Sequence, residues 1–261
     1  DIGELTPVRN LTELEATLTR WANPEAAATE GASIGYILSL EGADSIVTLD
    51  HLERAWDYGL RAIGPAHYGT GRYAMGHNRE GGFPPAGREL LSKMDELGFI
   101  LDVTHLSDDC FFEALDRYEG PIWASHSNCR SIAPDVRQFS DEQIRLLIER
   151  DAVIGAVFDG WMMVPGWTRG KTTPQSIGLK ISHIADHIDH IAQLAGSARH
   201  CGIGSDLDGG FGKEQCPTDL DTIADLQGLD QILRARGFDS EAVEGVFSGN
   251  FLRLIRSAWS S

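Results

Sequence analysis

Five apolar runs in this chain each end on a residue able to hold a metal ion or move a proton. Ile34 to Leu40 runs into Glu41, Ala62 to Ala66 into His67, Phe99 to Thr104 into His105, Ile122 to Ser125 into His126, and Cys201 to Ser205 into Asp206. A short apolar run bounded by turn residues is the signature of a buried strand. Helical patterns separate these runs. Strands alternating with helices build a parallel sheet, and the chemistry of such sheets collects at the strand C-terminal ends. One Glu, three His and one Asp converging there outline a metal-dependent hydrolase.

The segments between the runs support this alternation. Leu11, Leu14, Leu18 and Trp21 fall at helical spacing, with Asn10 or the Thr12–Glu15 pair as the start signal. Residues 22–32, rich in Ala, Pro and Gly, read as a loop. Helices are expected over 49–58, over 88–97 with Gly98 as the stop, and over 107–118, 140–150 and 181–194, with two more at about 219–236 and 240–257. The glycine-rich stretch 69–87 is a long loop of the kind that tends to be functional. Residues 152–158 form a sixth strand with no obvious ligand at its end, and 159–176 a Trp- and Gly-rich excursion. The expected fold class is α/β, a TIM-type (β/α)8 barrel forming one domain over 1–261, which the length of 261 residues suits. Six strands fall short of eight, so two are either hidden in the pattern or outside this chain.

Composition narrows the partners. With 22 Lys+Arg against 39 Asp+Glu the net charge is −17, a field that repels phosphate backbones and argues against nucleic acid. No apolar stretch is long enough for a membrane span and no basic leader precedes one, so the expectation is a chain without a transmembrane segment, in the cytoplasm. The first residue is Asp rather than Met, which leaves the natural N-terminus open. Cys110, Cys129, Cys201 and Cys216 show no two-residue spacing and read as reduced thiols, not a zinc knuckle.

Glu41 could be a solvated turn residue, but a carboxylate closing an apolar run is costly unless paired or metal-bound. His105 and His126 are separated by a single helix, which places them on adjacent parallel strands at the same level. Two neutral imidazoles and one carboxylate make a catalytic zinc ligand set with a position open for water. His67 reads either as a ligand or as a hydrogen-bond donor to a substrate carbonyl. Asp206 reads as a general base or as a partner for a substrate ammonium, with Asp208 its competitor. Arg137, in the loop beyond His126, has the two-pronged shape that fits a substrate carboxylate, against the default of a surface arginine. His183, His187 and His190 share a helix but lack the intervening acid of a zinc-protease helix, so packing explains them better. Trp161 and Trp167 read as loop packing. Gly202 and Gly204 do not make a nucleotide-binding fingerprint.

At these residues the chain resembles the membrane (renal) dipeptidase family, the zinc peptidases of family M19, from about Ile34 to its C-terminus. The resemblance rests on Leu40-Glu41-Gly42, on Ile100 to Ser107, on Ala124 to Asn128, on Asp186 to Ile191, on Gly202 to Gly209, and on Gly249 to Arg253. It implies a (β/α)8 barrel holding two zinc ions bridged by a glutamate that matches Glu41. His105 and His126 then complete the second zinc. A histidine matching His67 contacts the substrate at the scissile group, an arginine matching Arg137 binds its free carboxylate, and an aspartate matching Asp206 serves near the amine and in proton transfer. One departure stands out: the family's first strand supplies a His-x-Asp pair for the first zinc, and none occurs before Glu41. The strand ending at Glu41 would then be the third of the barrel, with the first two absent and the chain an N-terminally incomplete portion. The implied function is a zinc-dependent dipeptidase acting on small dipeptides. Its alternatives are an amidohydrolase acting on N-acyl amino acids or lactams, and an inactive barrel. A second copy of the chain, or an N-terminal fragment bearing the absent strands, are the candidate protein partners.

Overall fold

The computed structural model describes residues 4–207 and 209–260. Its strands are β1 (Leu5–Pro7), β2 (Ile34–Tyr36), β3 (Leu38–Glu41), β4 (Leu60–Gly64), β5 (Ile100–Asp102), β6 (Ile122–Trp123), β7 (Ile154–Ala156) and β8 (Cys201–Ile203). All pair in parallel: β1 with β2, β3 through β6 in chain order, and β7 with β8. β2 and β3 are two halves of one extended run interrupted at Ile37, and a parallel bridge between Ala124 and Ile154 carries the ladder from β6 to β7. Among the described residues no ladder joins β8 to β1, so the strands form an arc in chain order and not a closed barrel.

The helices are α1 (Leu11–Trp21), α2 (Pro24–Glu30), α3 (Leu49–Asp57), α4 (Pro85–Leu97), α5 (Asp108–Arg117), α6 (Asp141–Glu149), α7 (Gly160–Met163), α8 (Pro174–Ile177), α9 (Ile184–Ala195), α10 (Leu229–Ala235), α11 (Ser240–Glu244) and α12 (Asn250–Trp259). Their ends follow local chemistry. Asn10, not Thr12, caps α1 by accepting from the Glu13 N–H at 2.9 Å. Ser140 and Gln143 form a reciprocal capping box on α6. Gly98 closes α4 in the left-handed region at φ 79°.

Two sequence expectations are corrected here. Residues 22–32 are not a loop. Asn23 caps, Pro24 opens, three alanines propagate and Gly31 closes a two-turn helix, so the helix signals outweigh the loop-like composition. The count of six strands omitted β1, whose sequence Leu-Thr-Pro has no apolar run to betray it. Proline is tolerated there because the strand is short and lies at the sheet edge.

From β4 to β7 the sheet is buried on both faces, as is usual for parallel strands, whereas β1, β2 and β3 are mostly exposed. Ile63, Leu101, Ile122, Ile154 and Cys201 join one core with Leu90, Phe111, Ile144 and Ile188 of the helices. Ala62, Ile100, Trp123 and Val153 join a second core with Leu14 of α1 and Leu254 and Ile255 of α12. The four cysteines are free and buried. No helix among the described residues is long and apolar enough to cross a membrane.

Candidate metal centre and its cleft

The strand ends converge. Glu41 closes β3, and its Oε1 lies 3.1 Å from His105 Nε2 and 3.2 Å from His126 Nε2. The two imidazole nitrogens are themselves 3.2 Å apart. Ligands about 2.0 Å from a tetrahedral ion stand roughly 3.3 Å from one another, so these three atoms occupy three corners of a zinc-sized tetrahedron. His105 Nε2 also lies 3.1 Å from Arg137 Nη2. One ring nitrogen cannot serve a carboxylate, a second imidazole and a guanidinium through a single hydrogen, whereas a cation among the first three resolves the crowding. The donor set fits zinc.

The surrounding contacts orient these groups. Asp102 at the end of β5 accepts from the Thr104 and Ser125 N–H groups, both at 3.0 Å, which ties the β5 and β6 ends together. Ser125 Oγ lies 2.8 Å from His126 Nδ1, so the other ring nitrogen is left for the centre. His77 Nδ1 lies 3.3 Å from His105 Nδ1, and the His77 N–H donates to the His105 carbonyl at 2.7 Å. His105 adopts φ 68° and Asp206 φ 54°, conformations that L-residues rarely take and that concentrate at functional sites. Gly155 and Gly204 permit the convergence, because a Cβ on either would run into the Ser125 carbonyl.

Electrostatics follow from this packing. Hydrogen bonds from His105 and His126 hold the Glu41 carboxyl well below the usual carboxylate range. Burial pushes His105 down to about 2 and His77 down to about 4, which keeps both rings neutral. Asp206, with Oδ2 4.0 Å from His126 Nε2, is pushed above the ordinary aspartate value, chiefly by burial. Asp208 lies outside the described residues.

His67 stands at the rim, half exposed, with Nε2 4.0 Å from Glu41 Oε2. Glu41, His67 and His105 also offer ligand atoms within 4.8 Å of one another, so His67 faces the same centre from the outer carboxylate oxygen. Arg137 is buried behind His105. Its guanidinium donates to the His126 carbonyl at 2.9 Å and to Ser127 Oγ at 3.3 Å. At 3% exposure it is not the default surface arginine, and no carboxylate among the described residues lies within 4.0 Å of it. It is a buried cation facing a cleft of about 490 Å³.

That cleft brings together Glu41, His67, His105, Arg137 and Asp206, with His126 directly behind Glu41. It also takes in Tyr68, Asp159, Trp161 and Trp167, which sequence reasoning assigned no such place. Asp159 terminates the 152–158 run, so the sixth strand does end on an acid. The signal was present but lay one residue beyond the apolar segment. The helix histidines stay apart: His187 is fully buried, bonded to the Cys129 N–H and the Met163 carbonyl, and His190 pairs with Asp141 at 2.8 Å.

A family model described as membrane dipeptidase (peptidase family M19) matches residues 8–260. The chain belongs to the membrane dipeptidase family. Among its relatives is an uncharacterized protein in the pqqA 5′ region of Klebsiella pneumoniae, 28% identical over 218 residues, covering 80% of this chain and 76% of that protein. Another is the dipeptidase aclJ of Aspergillus oryzae, 26% identical over 227 residues, covering 85% of this chain and 51% of that protein. This M19 chain thus spans about half the length of several dipeptidases it matches. In fold it superposes on a metallo-peptidase from Rhodobacter sphaeroides solved with a phosphinate mimic of L-Ala-D-Ala. That match has a TM-score of 0.81 at 23% identity and covers 99% of this chain and 70% of the other.

Proposed function

We propose that this chain is the catalytic part of a zinc dipeptidase that hydrolyses small dipeptides, with Glu41, His105 and His126 holding one ion. The observation that carries the reading is the triangle of ligand atoms with edges of 3.1 to 3.2 Å at three strand ends, open to a cleft containing a buried unpaired arginine. Bound zinc supplies Lewis acidity that polarises a carbonyl and lowers the pKa of water. Arg137 binds the substrate's free carboxylate with two donors, which fixes the peptide bond's distance from the centre. His67 donates to the scissile carbonyl oxygen. Asp206, its carboxyl raised by burial, accepts the ammonium end and passes a proton towards the leaving amine.

The parallel arc, in which β1 precedes the β2–β3 run, is part of a (β/α)8 barrel whose closing stave carries a His-x-Asp pair for a second zinc. Support comes from the family membership and from the dipeptide mimic bound by the Rhodobacter protein. The test is hydrolysis of unmodified dipeptides by the zinc-loaded chain. Glu41→Gln and His105→Ala are expected to lose at least a hundredfold in kcat/KM together with their zinc. Full turnover and metal content in either variant overturns the assignment. An N-acyl amino acid cleaved faster than the matching dipeptide would overturn the substrate class.

A further inference from the structure

Asp159 sits at the N-cap of α7, yet its side chain caps nothing. One carboxylate oxygen, Oδ2, accepts from the Trp161 indole at 2.6 Å. The other, Oδ1, has no hydrogen-bond partner among the described residues, although Asp159 is only 6% exposed. A purely structural aspartate at that depth would have both oxygens bonded. The same excursion carries a second buried orphan on the cleft wall, the Trp167 indole N–H. Arg169 does not neutralise Asp159 by pairing: no carboxylate among the described residues lies within 4.0 Å of it, and its guanidinium lies 4.7 Å from the Trp161 ring centre.

We propose that Asp159 determines specificity by receiving the cationic side chain of a basic residue in the dipeptide substrate. This rests on the dipeptidase reading and names its substrate class. In that reading Arg137 and Asp206 are taken by the two termini of the substrate; Arg169 and Glu214 are exposed, so among the described residues Asp159 is the buried charged group of the cleft left for a third substrate group. Beyond Glu41 the cleft carries, among the described residues, three carboxylates, Asp159, Asp206 and Glu214, against two guanidiniums, Arg137 and Arg169. The excess favours a cation. Trp161 and Trp167 provide flat apolar walls for a methylene stem, and an aromatic face also attracts the charge at its tip. The overall charge of −17 draws cationic solutes towards the protein as a whole.

The experiment compares kcat/KM of the zinc-loaded full chain on substrates that differ in one group: Ala-Lys against Ala-norleucine, and Lys-Ala against norleucyl-Ala. The wild type is expected to prefer the lysine member of at least one pair by tenfold or more. Asp159→Asn should cut that preference ratio at least tenfold, and Asp159→Glu, which keeps the charge, should retain most of it. A wild type indifferent to lysine, or a ratio unchanged in Asp159→Asn, overturns the proposal. Calorimetric binding of lysine and norleucine phosphinate pseudodipeptides gives the same ratio without turnover. A protein that cleaves no dipeptide yet discriminates between these ligands sinks the dipeptidase reading alone; one that cleaves both members equally sinks only the role of Asp159.

Discussion

At the scale of single residues, three chemically different pressures meet in one cleft. Glu41 is held anionic by two imidazoles, His105 is held neutral by burial, and Asp159 is pushed up to about 6, chiefly by burial. Asp159 has a measurable consequence for stability. Below its ordinary value of 3.8 both folded and unfolded chains keep the proton, and the group is neutral to stability. As pH rises towards about 6 the unfolded chain releases the proton while the folded chain still holds it, so stability falls across that window. By linkage the cost at neutral pH is on the order of 3 kcal/mol. Asp159→Asn in the metal-free protein is therefore expected to be more stable than the wild type in urea unfolding at pH 7, with the advantage gone at pH 4. An equal difference at both pH values would contradict this. The sequence exposed Glu41, His67, His105, His126 and Asp206 because each directly closes an apolar run. It hid His77 and Arg137's burial, because a loop's path around a site leaves no periodicity to read.

At the scale of elements, strand ends and the glycines behind them decide the site. Strands β4, β5, β6 and β7 were legible as runs because burial on both faces demands continuous apolar sequence. β1 and α2 were not: one is three residues with a proline, and the other is built from alanines and caps that composition alone files under loop. Gly204, just past β8, lies against the Ser125 carbonyl just past β6, so an added methyl group must move backbone and not a flexible side chain. Gly204→Ala is expected to cost about 1 to 3 kcal/mol, as overpacking in a close-packed core does, and to weaken zinc binding by shifting Asp206 and His126 apart. Chemical denaturation and a chelator titration read the two effects. A variant as stable and as tight for zinc as the wild type would show that this approach is not required.

At the scale of the whole molecule, the parallel arc places every candidate group at one end, and the chain's own α12 covers part of the second face. Family membership extends from residue 8 to residue 260, so the likeness first seen from Ile34 to the C-terminus also takes in α1 and α2. If the folded state alone presents the three-ligand set, zinc stabilises it by mass action: about 2.7 kcal/mol at a hundredfold excess over Kd. For a chain of this size that is a Tm rise of roughly 5 to 10 °C, abolished by chelator and absent in His126→Ala. A rise of the same size in His126→Ala would place the metal elsewhere. Whether Glu41, His105 and His126 hold zinc is read out by anomalous diffraction at the zinc edge from crystals of this chain. A peak is expected about 2.0 to 2.2 Å from Glu41 Oε1, His105 Nε2 and His126 Nε2. Zinc found only at other histidines, or no peak at this triangle with zinc in excess, would contradict it.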